Sequence, residues 1–108
     1  MTVTYLESRV ERKSVLHAES LGMLSFKLTP AGQRGWMDRL FITTTGIHFY
    51  IEFKREGKEL TKLQEYRRWQ LQQRKCNVYG PVDDLGHAKE IIDYYARISI
   101  PETGVDPP

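Results

Sequence analysis

The sequence predicts an α/β domain of order αβββαβα, with a mixed sheet covered on both faces. Three observations lead there: amphipathic helical stretches at both ends, a β-hairpin in the middle, and apolar residues on both faces of the hairpin strands. Ile47, Phe49, Ile51 and Phe53 project to one side, and Leu40, Ile42 and Tyr50 to the other. Neither face suits water, so helices or a second subunit must cover both.

Taken in order, Val3, Leu6, Val10, His17 and Leu21 recur at helical spacing and predict one amphipathic helix that stops at Gly22. Glu7 and Glu11 stand four apart at the edge of that stripe, and His17 within it reads as a core histidine with a satisfied hydrogen bond. "MLSFKL" reads as a short strand and "TPAGQRG" as a loop punctuated by Gly and Pro. Two strands, about 38 to 43 and 47 to 54, flank the loop "TTG", where Gly46 favours a left-handed backbone. A hairpin centred on Thr45 places Asp38 opposite Glu52 and sends Lys54 to the same face as Glu52. Two facing carboxylates repel each other unless a cation lies between them.

After the turn "REGKE", Thr61 and Gln64 form a T-x-x-Q capping box that opens a second helix running to about Arg74. "NVYGPV" is a further strand. Asp83 or Asp84 caps a last helix whose apolar face comprises Ile91, Ile92, Tyr95 and Ile98. Tyr66 and Trp69 are expected to pack, Trp36 to be the exposed aromatic, and Cys76 to be a small buried residue.

The chain of 108 residues fits one domain, residues 1–98, with 99–108 as a flexible tail. Its apolar runs are far too short for a membrane span, and charges stand where a signal peptide would be apolar. A lone cysteine excludes an internal disulfide and fits a reducing cytoplasm. The net charge is only +2, but residues 54–75 carry +5 and residues 83–108 carry −4. A basic middle of this kind permits contact with a polyanion such as DNA.

The segments "VER" around Glu11, "FK" at Lys27, "GWMDRL" around Asp38, "IEFKREGKELTKLQ" from Ile51 to Gln64 and "NVYGPVDD" together resemble the PD-(D/E)xK nuclease superfamily. Within it they resemble the virus-type replication-repair nuclease (VRR-NUC) domain, over nearly the whole chain. The resemblance implies a restriction-endonuclease-like three-layer α/β/α core, Mg²⁺ or Mn²⁺ as cofactor, and DNA cleavage. The short stand-alone members of that family, many from bacteriophages, are similar to dimeric Holliday-junction resolvases, which implies a homodimer acting on branched DNA in a bacterial cytoplasm. It implies Asp38, Glu52 and Phe53 as metal contacts and Glu11 as a further acidic one, direct or through water. Lys54 would position the attacking water or neutralise developing charge, and Gln64 would orient a ligand or the DNA backbone. Lys27, Arg34, Arg39, Lys58 and Lys62 are candidate DNA contacts. Two rival activities stay open: a monomeric flap or nicking nuclease, and a catalytically silent DNA-binding module. The family has Pro before the metal-binding Asp, where this chain has Met37.

Overall fold

Local signals in the sequence set the element boundaries, and a computed structural model describes residues 3–28 and 35–99. The order is α1 (Val3–Ser20), β1 (Leu24–Lys27), β2 (Arg39–Ile42), β3 (His48–Phe53), α2 (Lys62–Gln73), β4 (Asn77–Val82) and α3 (Leu85–Ile98). This is the predicted αβββαβα succession. Residues 29–34 of the expected loop, with Arg34, and residues 100–108 of the expected tail lie outside the described residues, and Ser99, expected to open that tail, is buried at the end of α3.

Each boundary has a local cause. Gly22 ends α1 with a φ of +82°, a backbone that side chains disfavour. Gly46 turns the β2–β3 hairpin at +88°, with its N–H donating to the Thr43 carbonyl. At the start of α2 both halves of the capping box form: Gln64 N donates to Thr61 Oγ1 at 3.1 Å, and Thr61 N donates to Gln64 Oε1 at 3.0 Å. Asp84, rather than Asp83, caps α3 by accepting from His87 N at 3.0 Å.

The sheet has the strand order β1-β2-β3-β4, antiparallel across the first three strands and parallel between β3 and β4, so it is mixed. α1 and α3 lie on one face. There Phe41, Phe49, Ile51 and Phe53 are fully buried against Ala18, Ala88, Ile92 and Tyr95. The Phe49 ring stacks on Phe41 at 5.1 Å and on Tyr95 at 4.4 Å between centroids. His17 of α1 meets Asp93 of α3 at 2.7 Å, which gives the predicted hydrogen bond and ties the two helices together, but the ring is half-buried at the surface rather than in the core.

α2 lies on the opposite face, reaching β3 through Gln64 to Glu52 and β4 through Arg68 to the Gly80 carbonyl. No α2 residue is buried. Leu24 and Phe26 on this face are 58% and 48% exposed, while Leu40, Ile42 and Tyr50 are half-buried. Both faces of the sheet are therefore apolar, as predicted, and within the described residues helices bury the centre of one face and cover the other in part.

Several expectations are corrected. Tyr66 and Trp69 are both more than half exposed, whereas Trp36 is half-buried beneath the Arg67 guanidinium, 4.5 Å from its ring centroid. The helical stripe that pairs the two aromatics faces away from the sheet, because the face of α2 toward β4 is taken by Gln64 and Arg68. Leu21 is exposed at the α1 terminus, and Cys76 is half-buried. Met37 has no exposed surface, so the residue that replaces the family's Pro contributes to packing.

Candidate active site

The β2–β3 pairing sets the geometry of the site. Arg39 pairs with Ile51 and Leu40 with Tyr50. One step further along the same register, Asp38 faces Glu52, as the three-residue loop predicts. Asp38 is fixed there because its Oδ2 accepts from Phe53 N at 3.1 Å.

Glu52 is only 2% exposed. Its Oε2 accepts from Gln64 Nε2 at 3.0 Å and lies 3.6 Å from Lys54 Nζ. Its Oε1 is buried with no hydrogen-bond partner among the described residues. A buried carboxylate oxygen without a donor is costly and asks for a ligand. β4 permits this burial through Gly80, where a Cβ would come within 2.8 Å of the Glu52 Cβ. A sequence signal for this was present, since glycine inside a strand marks close approach of another group. Arg68 holds the same segment by donating to the Gly80 carbonyl at 2.8 Å.

The electrostatics follow from burial and crowding. Burial, with the Asp38 charge adding to it and Lys54 opposing it, pushes the Glu52 carboxyl up to about 8. Asp38 is also raised, first by burial; the Phe53 N–H opposes this and the Glu11 charge adds to it. Glu7 is raised by burial and then by Asp38, with Lys54 opposing and Glu11 contributing. Both α1 carboxylates therefore act on Asp38 through space.

Of the predicted residues, Asp38, Glu52, Phe53, Lys54 and Gln64 come together. Glu11 is nearby and buried, but its Oε2 is held by Arg39 Nε at 2.7 Å and lies 3.6 Å from Lys27 Nζ. Lys58 and Lys62 are exposed, on the turn after β3 and at the start of α2. No group of three or more His, Cys, Asp or Glu side chains is arranged to hold a metal ion among the described residues. Two carboxylates are a sparse oxygen set, suited to a hard cation that keeps several waters. The unpartnered Oε1 and the mutual repulsion of Asp38 and Glu52 fit such an ion.

No helix among the described residues is long and apolar enough to cross a membrane. No protein-family model matches the chain, and no curated protein matches it. A solved structure described as a VRR_NUC domain is similar, with a TM-score of 0.76 and 27% sequence identity, over 83% of this chain and 97% of that one. That likeness, with the Asp38/Glu52-x-Lys54 hairpin at its centre, supports a VRR-NUC domain, which is a nuclease-type domain.

Proposed function

We propose that the protein is a metal-dependent, structure-specific DNA endonuclease that acts as a homodimeric Holliday-junction resolvase. The observation that carries the reading is the buried Glu52 carboxylate, opposed to Asp38, tethered by Gln64 and flanked by Lys54. A purely structural hairpin has no use for two opposed acids and an orphaned oxygen in its interior.

Asp38, Glu52 and the main-chain carbonyl of Phe53 would hold Mg²⁺ or Mn²⁺ through oxygen. When bound, such an ion supplies an acidic water and charge neutralisation at a phosphodiester. The protein's own part is orientation and charge. Phe53 N and Gln64 Nε2 lock the two carboxylates before substrate arrives, which avoids reorganisation during the reaction. Lys54 keeps an ammonium beside the acids, where it orients a water and counters charge developing on the phosphate. Glu11 adds its negative charge across space while its Oε2 stays on Arg39. Lys58 and Lys62, with the rest of the basic 54–75 stretch, would track the DNA backbone.

The dimer has two supports. Resolving a four-way junction takes two cuts related by a two-fold axis, and each chain carries one site. The partly covered sheet face around Leu24 and Phe26 also offers apolar surface to a second copy.

The test is cleavage of a labelled four-way junction, beside a flap and a plain duplex, with Mg²⁺, with Mn²⁺ and with EDTA. Symmetric, metal-dependent junction cuts lost in Lys54→Ala are expected. Cutting confined to flaps by a monomer would replace this reading with a nicking nuclease, and junction binding without any cut would make the domain a silent binding module.

A further inference from the structure

The polar cleft between α1 and the β1–β2 edge shares Glu11 with the hydrolytic site, but none of its other lining residues. It is a cavity of about 190 Å³ lined by Ser8, Glu11, Arg12, Lys27 and Arg39, with Val15 and Leu16 on its apolar side. At about 30 Å³ per water it has room for roughly six waters. Three cations face one acid, so the lining carries an excess of two positive charges.

Its hydrogen-bonding capacity is also unbalanced. Glu11 Oε2 accepts from Arg39 Nε at 2.7 Å, and Arg39 Nη1 reaches Ser25 Oγ only at 3.5 Å. Lys27 Nζ lies 3.6 Å from the same Glu11 oxygen, and its side chain is 58% exposed. Arg12 is exposed and has no hydrogen bond or ion pair among the described residues. Donors therefore outnumber acceptors, and an anion with several acceptor oxygens would satisfy them.

We infer that this cleft is a subsite for a DNA backbone phosphate beside the scissile one, with Arg12, Lys27 and Arg39 as its donors and Glu11 as the positioning residue that aims Arg39. The inference rests on the DNA-nuclease reading above. Placement supports it: Arg39 directly follows Asp38, Lys27 is its cross-strand partner, and Leu28 N donates to the Asp38 carbonyl at 2.7 Å. A phosphate in the cleft is thus bound to the same backbone that carries the acidic pair. Val15 and Leu16 give the adjoining deoxyribose an apolar wall. The Glu11–Arg39 pair leaves the rest of the guanidinium edge for a bidentate phosphate contact.

The test needs no metal and no cleavage. Binding of a labelled four-way junction, and of a plain duplex, is measured by anisotropy in EDTA over a salt series. The junction carries a single neutral methylphosphonate at each backbone position in turn. Wild type should lose about tenfold in affinity at one phosphate near the cut position. Arg12→Gln and Lys27→Gln should each lower the salt slope by about one and abolish the sensitivity to that methylphosphonate, while Lys89→Gln on α3 should do neither. Glu11→Gln should weaken the same coupling without changing affinity at other phosphates. If the variants weaken binding equally at every phosphate position, the cleft is only part of a diffuse positive field and the inference falls while the nuclease reading stands. If wild type binds neither DNA in EDTA nor with Ca²⁺, the DNA-nuclease reading falls and takes the inference with it.

Discussion

Glu52→Gln separates the structural cost of the buried carboxyl from its use. In the folded chain this group sits at about 8, against an ordinary carboxyl near 4.5, because it is buried and faces Asp38. Between those values the folded state holds a proton that the unfolded state has released. The folded state binds more protons, so this contribution to stability is fully present below about 4.5 and falls as pH rises, until it is lost above about 8. At about 1.4 kcal/mol per unit, the loss is of the order of 2–5 kcal/mol, the lower figure applying if Asp38 takes up the shared proton instead. The amide of the variant keeps the shape and can still accept from Gln64 Nε2, but it carries no charge.

Urea unfolding of the metal-free protein at several pH values between about 5 and 9 would measure this. Wild type should lose stability across the range, and Glu52→Gln should stay nearly flat and become the more stable of the two at the alkaline end. A divalent cation at about 100 times its Kd should restore about 2.7 kcal/mol to wild type near pH 8, and much less to the variant. Parallel pH curves for the two proteins, or no effect of the cation on wild type, would refute the claim that Asp38 and Glu52 form a strained acidic pair awaiting a cation.

Other substitutions probe the surrounding parts. Lys54→Ala should cut kcat by about 10²- to 10³-fold with little change in DNA affinity, read by single-turnover cleavage and by binding in EDTA. Thr61→Ala removes the cap of α2 and should cost about 1 kcal/mol in thermal or urea unfolding, with little loss of activity, because the backbone N–H of residue 61 still holds the Gln64 side chain that reaches Glu52. Gly80→Ala forces a Cβ within 2.8 Å of Glu52 and should cost about 1–3 kcal/mol, and cleavage should fall with it. Sedimentation of wild type beside a Phe26→Glu variant tests the homodimer: wild type should sediment as a dimer and the variant as a monomer.

How much of this was legible in the sequence depends on the range of the interaction responsible. Short-range features were readable because their geometry is local. The Thr61/Gln64 box, Gly46 in the hairpin and the helix stop at Gly22 each involve residues at most a few positions apart. The Asp38–Glu52 register was readable for the same reason, since a three-residue loop leaves the strands little freedom in how they pair. Exposure on α2 was not readable. Helical spacing shows that Tyr66 and Trp69 share a face, but only the tertiary position of β4 decides that Gln64 and Arg68 point inward and the aromatics outward.

The α1 carboxylates show the same limit at the site itself. Glu7 and Glu11 have equal claims by spacing, and the resemblance favours Glu11. What distinguishes them is a contact 28 residues away, the Arg39 guanidinium on Glu11 Oε2, which no local pattern in the sequence encodes. A carboxylate already holding Arg39, with Lys27 close by, is largely neutralised, and a cation gains less from it than from one without such partners. Glu7 has its carboxyl raised by burial and by Asp38, and Lys54 only partly offsets this, so it retains the greater gain from an added positive charge. Division of labour on one helix follows: Glu7, one turn before Glu11, is coupled to Asp38 through its charge, and Glu11 holds the arginine that follows Asp38. Comparing Glu7→Gln with Glu11→Gln by metal-dependent thermal shift separates the two roles, since the first should reduce the shift produced by Mg²⁺ or Mn²⁺ and the second should leave most of it intact. Equal loss from both would place the two carboxylates in one shared site and dissolve the distinction.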